Sequence, residues 1–150
     1  MILLVAVLAT FQLVRALISI EGQVSGLVEL SASNSPYLFA EDVVVEASGT
    51  LQIEEGVTVY VEAGKELLVL GRLVIEGSAV SPVVFSADVT DQDQNTRNDT
   101  AWAGIHVASE NASIEIHGLV VEYAGRRANE NGTNDVPALL IESPKDVNLR

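Results

Sequence analysis

Acidic side chains are the most numerous groups in this sequence that could carry out chemistry. The chain has 21 Asp and Glu against 8 Lys and Arg, which gives a formal net charge of −13. Glycosidases place two carboxylates roughly 5 to 9 Å apart across a sugar. The acids on the predicted strands are instead spread one per strand, at Glu54, Glu62, Glu76, Glu115 and Glu122. This spread indicates a solvated face. The acidity also argues against nucleic-acid binding, because no basic stripe could neutralise phosphates.

Side chains that could hold a metal ion are few. Segment 91–95 resembles the start of an EF-hand loop, but Thr96 occupies the sixth position in place of Gly, and Trp102 the twelfth in place of Glu. His106 and His117 are 11 residues apart on separate predicted strands, without a third ligand. The sequence therefore predicts no metal ion, no cofactor and no catalytic residue. A weak calcium site formed by three aspartates is the alternative: Asp88, Asp91 and Asp93.

Two further candidates concern sugar binding. Arg126 and Arg127 could bind an anionic sugar, but they are expected to balance the nearby charges of Glu122 and Glu130. Trp102 could stack on carbohydrate, but its place close to a glycine and an isoleucine predicts that it fills a corner of the fold. No serine–histidine–aspartate or cysteine–histidine pattern, phosphate-binding loop or dinucleotide motif accompanies them. The sequence thus predicts structural or binding roles for these residues and no enzyme activity.

Three N-glycosylation motifs are present. Asn98, Asn111 and Asn131 each stand two positions before a Ser or Thr, with no proline between. All three lie in polar or glycine-containing surroundings, where a glycan would be tolerated. The sequence therefore predicts a glycoprotein with sugars on these asparagines. Cysteine is absent, so burial and backbone pairing alone must hold a secreted domain together.

Residues 1–16 have the features of a secretory signal peptide. The apolar run ends at Arg15 and is too short to span a bilayer. Cleavage is expected after Ala16, with Ser19 as the second choice, and a buried first strand is the alternative interpretation of this segment. The protein is therefore predicted to be secreted or to lie on the extracellular side of the plasma membrane.

The elements that must position these groups are short strands that end at glycines. Runs of Val, Leu and Ile are closed, at intervals of 6 to 8 residues, by five glycines: Gly49, Gly56, Gly64, Gly71 and Gly77. This spacing leaves no room for a helix between strands, which excludes a βαβ sheet. Residues 50–54 match residues 72–76 at a separation of 22, and repeats of that length indicate a solenoid. Three strands per coil predict a parallel β-helix, with an antiparallel meander as the alternative.

Alternation along the strands predicts which side chains form the core. In segment 57–62, Val alternates with Thr, Tyr and Glu, so the valines point to one side of the strand. Seven residues are expected to point inward: Leu51, Ile53, Val57, Val59, Leu73, Ile75 and Phe85. Ile53→Asp should therefore unfold the domain, whereas Glu54→Lys should scarcely matter.

The chain divides into three parts. After the signal peptide at 1–16, residues 17–34 are expected to be a partly flexible transition, and the parallel β-helix is expected to occupy 35–150. Two polar segments, 88–100 and 126–137, are expected to be loops at corners of the coils. The last strand is followed by no capping element, so an open C-terminal end that continues beyond residue 150 is expected.

Several motifs together resemble the right-handed parallel β-helices of the pectin-lyase-like superfamily. They are SPY at 35–37, SPVVF at 81–85, WAGI at 102–105 and VEYAG at 121–125, with strands that end in Glu-Gly or Ala-Gly. The resemblance covers about 35–141 and implies an all-β solenoid of about four coils. Among animal secreted proteins the chain most resembles the N-terminal β-helix of bark-beetle-type cell-junction proteins.

The resemblance implies a non-catalytic extracellular module for cell adhesion or cell-junction interactions. The module would be the N-terminal part of a larger secreted or membrane glycoprotein, with a membrane anchor only in downstream sequence. Its partner would be an extracellular protein or a carbohydrate ligand. Because the superfamily also contains lyases and hydrolases, the alternative is a carbohydrate-active enzyme, either a polysaccharide lyase or a glycoside hydrolase, with its catalytic coils downstream.

Overall fold

Short strands rich in β-branched residues build this chain into three parallel sheets. The computed structural model describes residues 17–87, 101–129, 132–142 and 144–150. The fold is all-β, and within these residues the one helical element is a single 3-10 turn, Ala32–Asn34. The chain visits the first, second and third sheet in turn and then returns to the first. This order is consistent with a parallel β-helix and excludes the antiparallel meander.

Each parallel sheet has five strands. The first sheet contains β1 (Ile18–Ser19), β4 (Tyr37–Phe39), β7 (Thr58–Val61), β10 (Val83–Ala87) and β13 (Leu119–Val121). The second contains β2 (Gly22–Val24), β5 (Val43–Val45), β8 (Glu66–Val69), β11 (Gly104–Val107) and β16 (Leu139–Ile141). The third contains β3 (Leu27–Leu30), β6 (Thr50–Glu54), β9 (Arg72–Glu76), β12 (Ser113–His117) and β17 (Asp146–Leu149). A separate antiparallel hairpin is formed by β14 (Arg126–Asn129) and β15 (Gly132–Asp135).

The repeat of 22 residues corresponds to the register between β6 and β9. Leu51 pairs with Leu73, and Ile53 pairs with Ile75. All seven residues predicted to point inward are fully buried, so the predicted core is confirmed. Burying a side chain of this size stabilises the fold by roughly 1.5–3 kcal/mol. The core therefore runs through the stack, with one layer of side chains from each passage of the chain.

The corner glycines of this repeat are explained by how closely successive passages of the chain stack. A Cβ on Gly49 would lie 1.9 Å from the carbonyl oxygen of Val24. A Cβ on Gly71 would lie 2.0 Å from the carbonyl oxygen of Glu46. Both contacts are with backbone atoms, which cannot rotate away as a side chain can. The glycines recur because the same corner meets the same neighbouring carbonyl 22 residues later.

Trp102 lies inside the core, as predicted. It is completely buried and stacks on Phe85 at 5.8 Å between ring centroids. Phe85 also meets Phe39 edge to face at 6.0 Å. The indole Nε1 of Trp102 donates a hydrogen bond to the carbonyl of Glu122 at 2.9 Å. Because this ring is covered on all sides, it cannot stack on a sugar from solution.

Residues 17–34 differ from the predicted flexible transition. They contain β1, β2 and β3, which pair in parallel with β4, β5 and β6. The prediction failed because these strands are only two to four residues long and mostly exposed, so they lack the apolar alternation of the later ones. Their order comes from backbone hydrogen bonds to the next passage of the chain, which local sequence does not reveal.

The predicted loop at 126–137 is also different in the structure. Most of it forms the β14–β15 hairpin, in which Arg126 pairs with Asp135. The side chains of these two residues also form an ion pair, with the Arg126 Nε 3.5 Å from the Asp135 Oδ1. Polar composition suggested a loop, but antiparallel pairing uses backbone groups, and opposite charges across the strands favour it. The other predicted loop, 88–100, lies outside the described residues.

Candidate functional site

The outer face of the third sheet aligns acidic side chains that the sequence analysis treated as separate. Glu54 on β6 pairs in register with Glu76 on β9, and Glu76 pairs with His117 on β12. Paired strands lie about 4.8 Å apart, close to the separation of roughly 5 Å between the two carboxyl groups of retaining glycosidases. The 22-residue repeat contained this alignment, because it superimposes Glu54 on Glu76.

Local polar groups already occupy these carboxylates. Glu54 Oε2 accepts a hydrogen bond from the backbone N–H of Ala32 at 3.0 Å, and Glu76 Oε2 accepts one from Gln52 Nε2 at 3.2 Å. Both acids are exposed. The column therefore has the character of a solvated face, as predicted.

Glu115 is the centre of a second group on the same face. Its Oε2 lies 3.5 Å from Arg72 Nη2, and its Oε1 lies 3.7 Å from His117 Nε2, which is beyond hydrogen-bond distance. Within the described residues, no three side chains of the metal-binding types come together. The calcium alternative at Asp88, Asp91 and Asp93 lies outside those residues and stays a prediction.

The second sheet holds a different arrangement, a histidine–carboxylate pair beside a cleft. His106 on β11 projects outward, and its Nε2 lies 3.0 Å from Glu142 Oε2. The cleft has a volume of about 100 Å³ and is lined mainly by apolar atoms from β11, β16 and the end of the hairpin connection. Sequence reasoning treated His106 as an isolated strand histidine. It missed the pair because Glu142 is 36 residues away and is brought near by the pairing of β11 with β16.

The edge of this sheet carries a third charged contact. The ammonium of Lys65 forms a hydrogen-bonded ion pair with Glu41. This hydrogen bond raises the pKa of Lys65 above its ordinary value, so the ammonium stays charged at neutral pH. The backbone N–H of Glu66 donates to Asp42 Oδ1 at 3.0 Å. Lys65 is therefore already engaged with an acid of the preceding corner.

Asn111 is the one predicted glycosylation residue among those that the structure describes. It is exposed in the turn between β11 and β12. Its backbone N–H bonds to the Ser109 hydroxyl at 3.2 Å, and the N–H of Ala112 bonds to the Ser109 carbonyl at 3.0 Å. The turn therefore holds the side chain of Asn111 away from the core. Asn98 and Asn131 lie outside the described residues, and glycosylation at all three stays a prediction.

Comparison with known proteins gives this chain no family. No family model, no curated protein and no solved structure matches it. Among the described residues, no helix is both long and apolar enough to cross a bilayer. Membership of the pectin-lyase-like superfamily therefore stays a prediction, and the three parallel sheets are consistent with it.

Proposed function

We propose that this chain is an extracellular parallel β-helix module for cell adhesion or cell-junction interactions. It would be secreted or displayed on the outer side of the plasma membrane, carry N-glycans and bind an extracellular protein or carbohydrate without chemical turnover. We assign it to the right-handed β-helices of the pectin-lyase-like superfamily, because connections between parallel strands are almost always right-handed. Five strands in each sheet favour one coil more than the about four predicted from the sequence.

One observation carries the proposal, the stacking of parallel strands into three continuous outer faces. Side chains from successive strands repeat about every 4.8 Å along such a face. Repeated surfaces of this kind are typical of solenoids that bind macromolecular partners. The fully buried side chains behind each face hold it rigid, so little conformational freedom would be lost on binding.

The glycosylation part of the proposal has a direct test at Asn111. Asn111→Gln is expected to remove one glycan from the chain secreted by cultured animal cells, because the side chain is exposed in a turn. The readout is a single step in gel mobility that disappears after treatment with a peptide N-glycosidase. Asn34→Gln is the matched control, since Asn34 is exposed but does not lie in a glycosylation motif. Unchanged mobility of the Asn111→Gln variant would contradict the assignment.

The second candidate is a carbohydrate-active enzyme, and one observation favours it. Glu54 and Glu76 are in register on neighbouring strands, at a spacing of about 4.8 Å that suits a retaining glycosidase. Both carboxylates are exposed and accept hydrogen bonds from local donors. General acids of glycosidases, in contrast, work in environments that favour the protonated form. The adhesion module is therefore the better supported function.

A single comparison separates the two functions. Epithelial cells are expected to attach to surfaces coated with the folded chain more than to surfaces coated with the Ile53→Asp variant. Polygalacturonate and other acidic glycans are expected to yield no product, with or without calcium. Equal attachment to both surfaces would contradict adhesion. Reproducible turnover that is lost in Glu76→Gln, Asp91→Asn or Arg126→Ala would favour the enzyme.

A further inference from the structure

We propose that the outer face of the second sheet binds a basic segment of a protein partner, with one aliphatic side chain of that segment seated in the cleft beside His106. This inference rests on the proposed function as an interaction module. It adds the surface that makes the contact and the chemistry of the partner. Three observations carry it: an apolar row, the cleft itself and the charges around both.

The apolar row crosses the outer face of the sheet. Val44 on β5 pairs with Leu68 on β8, Leu68 pairs with His106 on β11, and His106 pairs with Leu140 on β16. These four side chains are half-buried. Their neighbours on β5, β8 and β11 point inward and are buried.

Apolar side chains on this face are unusual for a sheet that meets solvent. The exposed face of a sheet normally carries polar residues, which alternate with the buried apolar ones. The third sheet follows that rule, with Glu54, Arg72 and Glu115 on its outer face. Contiguous apolar surface with a polar rim marks sites of protein–protein interaction. The row named above is such a surface.

The cleft lies at the His106 end of the apolar row. Val136 and Pro137 form one wall, and Leu140 and His106 form the other. Its volume of about 100 Å³ corresponds to about three water molecules at roughly 30 Å³ each, or to one aliphatic side chain. Its shape depends on Gly104, whose φ is +116° and whose added Cβ would lie 2.5 Å from the Ala138 carbonyl oxygen. The backbone after the hairpin therefore packs directly on β11 and builds the wall.

The charges around the row and the cleft are negative. The five strands of this sheet contain no Lys or Arg. Carboxylates stand on or beside them: Glu21, Asp42, Glu46, Glu66 and Glu142. Lys65, which precedes β8, is paired with Glu41.

These charges determine which partner the surface suits. Charge complementarity suppresses like-charged partners and speeds the association of opposite ones. A segment rich in lysine or arginine complements the rim. An aliphatic side chain in the same segment complements the row and the cleft.

The test measures binding of a fluorescent seven-residue peptide of alternating lysine and leucine to the full chain by anisotropy. Saturable binding that weakens with added salt is expected, because surface charge contacts are screened. Two control peptides replace lysine by glutamate or leucine by serine, and both are expected to bind at least about tenfold more weakly, since each loses one of the two complementary features. Saturable binding of the first peptide that is weaker for both controls supports the proposal. Absence of saturable binding overturns it.

Variants locate the contact. Leu68→Asn is expected to weaken binding about tenfold, and the double change Glu66→Gln with Glu142→Gln about fivefold, from the typical energies of apolar and exposed charge contacts. Val120→Asn on the outer face of the first sheet and Glu29→Gln on the third are the matched controls, and both are expected to bind as the parent does. The charge variants keep the test valid if Leu68→Asn does not fold. Equal weakening by the control variants would overturn the proposal, because binding would then be diffuse.

The cell-attachment assay separates this inference from the proposed function. Loss of peptide binding in the second-sheet variants, without any cell attachment by the folded parent chain, supports the surface and rejects adhesion. Cell attachment that persists in Leu68→Asn, together with no saturable binding of the peptide, rejects the surface and leaves adhesion standing.

Discussion

The Ile53→Asp variant is expected to be unfolded at room temperature. Ile53 is fully buried and lies between Leu30 on β3 and Ile75 on β9, which are also buried. The change removes an apolar contribution of roughly 1.5–3 kcal/mol and places a carboxylate among hydrocarbons, at a further cost of several kcal/mol. The sum is comparable to the total stability of about 5–15 kcal/mol that is typical of native proteins. Circular dichroism and calorimetry would show the loss of the β spectrum and of the melting transition.

The neighbouring Glu54→Lys change is the control for this prediction. Glu54 is exposed, and its side chain accepts one hydrogen bond, from the backbone N–H of Ala32. Loss of that bond is expected to cost about 1 kcal/mol, so the variant should fold and melt within a few degrees of the parent. If both variants were equally stable, the assigned register of β6 would be wrong.

The Gly71→Ala variant is expected to lose about 3 kcal/mol of stability, a cost typical of overpacking where neighbours cannot move aside. Its Cβ would lie 2.0 Å from the carbonyl oxygen of Glu46 and 2.5 Å from that of Gly49. Relief requires the two stacked corners to separate, which strains the ladder of hydrogen bonds between β6 and β9. A drop in melting temperature of about 6–12 °C would correspond to this loss.

Gly26→Ala is the matched control for this second prediction. Gly26 also lies in a corner between the second and third sheets, but an added Cβ meets no atom within 4 Å. Its φ is outside the left-handed region, so alanine can adopt the same backbone conformation. The variant is expected to be as stable as the parent or more stable by about 0.4–1 kcal/mol, because alanine restricts the unfolded chain. A similar loss in both variants would contradict the steric explanation.

The strands, their facing and their repeat were predictable from the sequence alone. Alternation with a period of two decides which side chains of β6, β7 and β9 are buried, and this property is local. The separation of 22 residues then aligns Leu51 with Leu73 and Glu54 with Glu76, because successive passages of a stacked chain have nearly the same length. For this reason the core and the polar column on the third sheet could be predicted without a structure.

Contacts between residues distant in sequence were decided only by the tertiary structure. β1, β2 and β3 have too few apolar residues to be predicted as strands, and they are ordered by backbone pairing with the next passage of the chain. His106 meets Glu142 because β11 pairs with β16 across an intervening hairpin. The cleft beside this pair depends on the close approach of Ala138 to Gly104. None of these contacts leaves a local periodic pattern, because each depends on how far the chain travels before it returns to the same sheet.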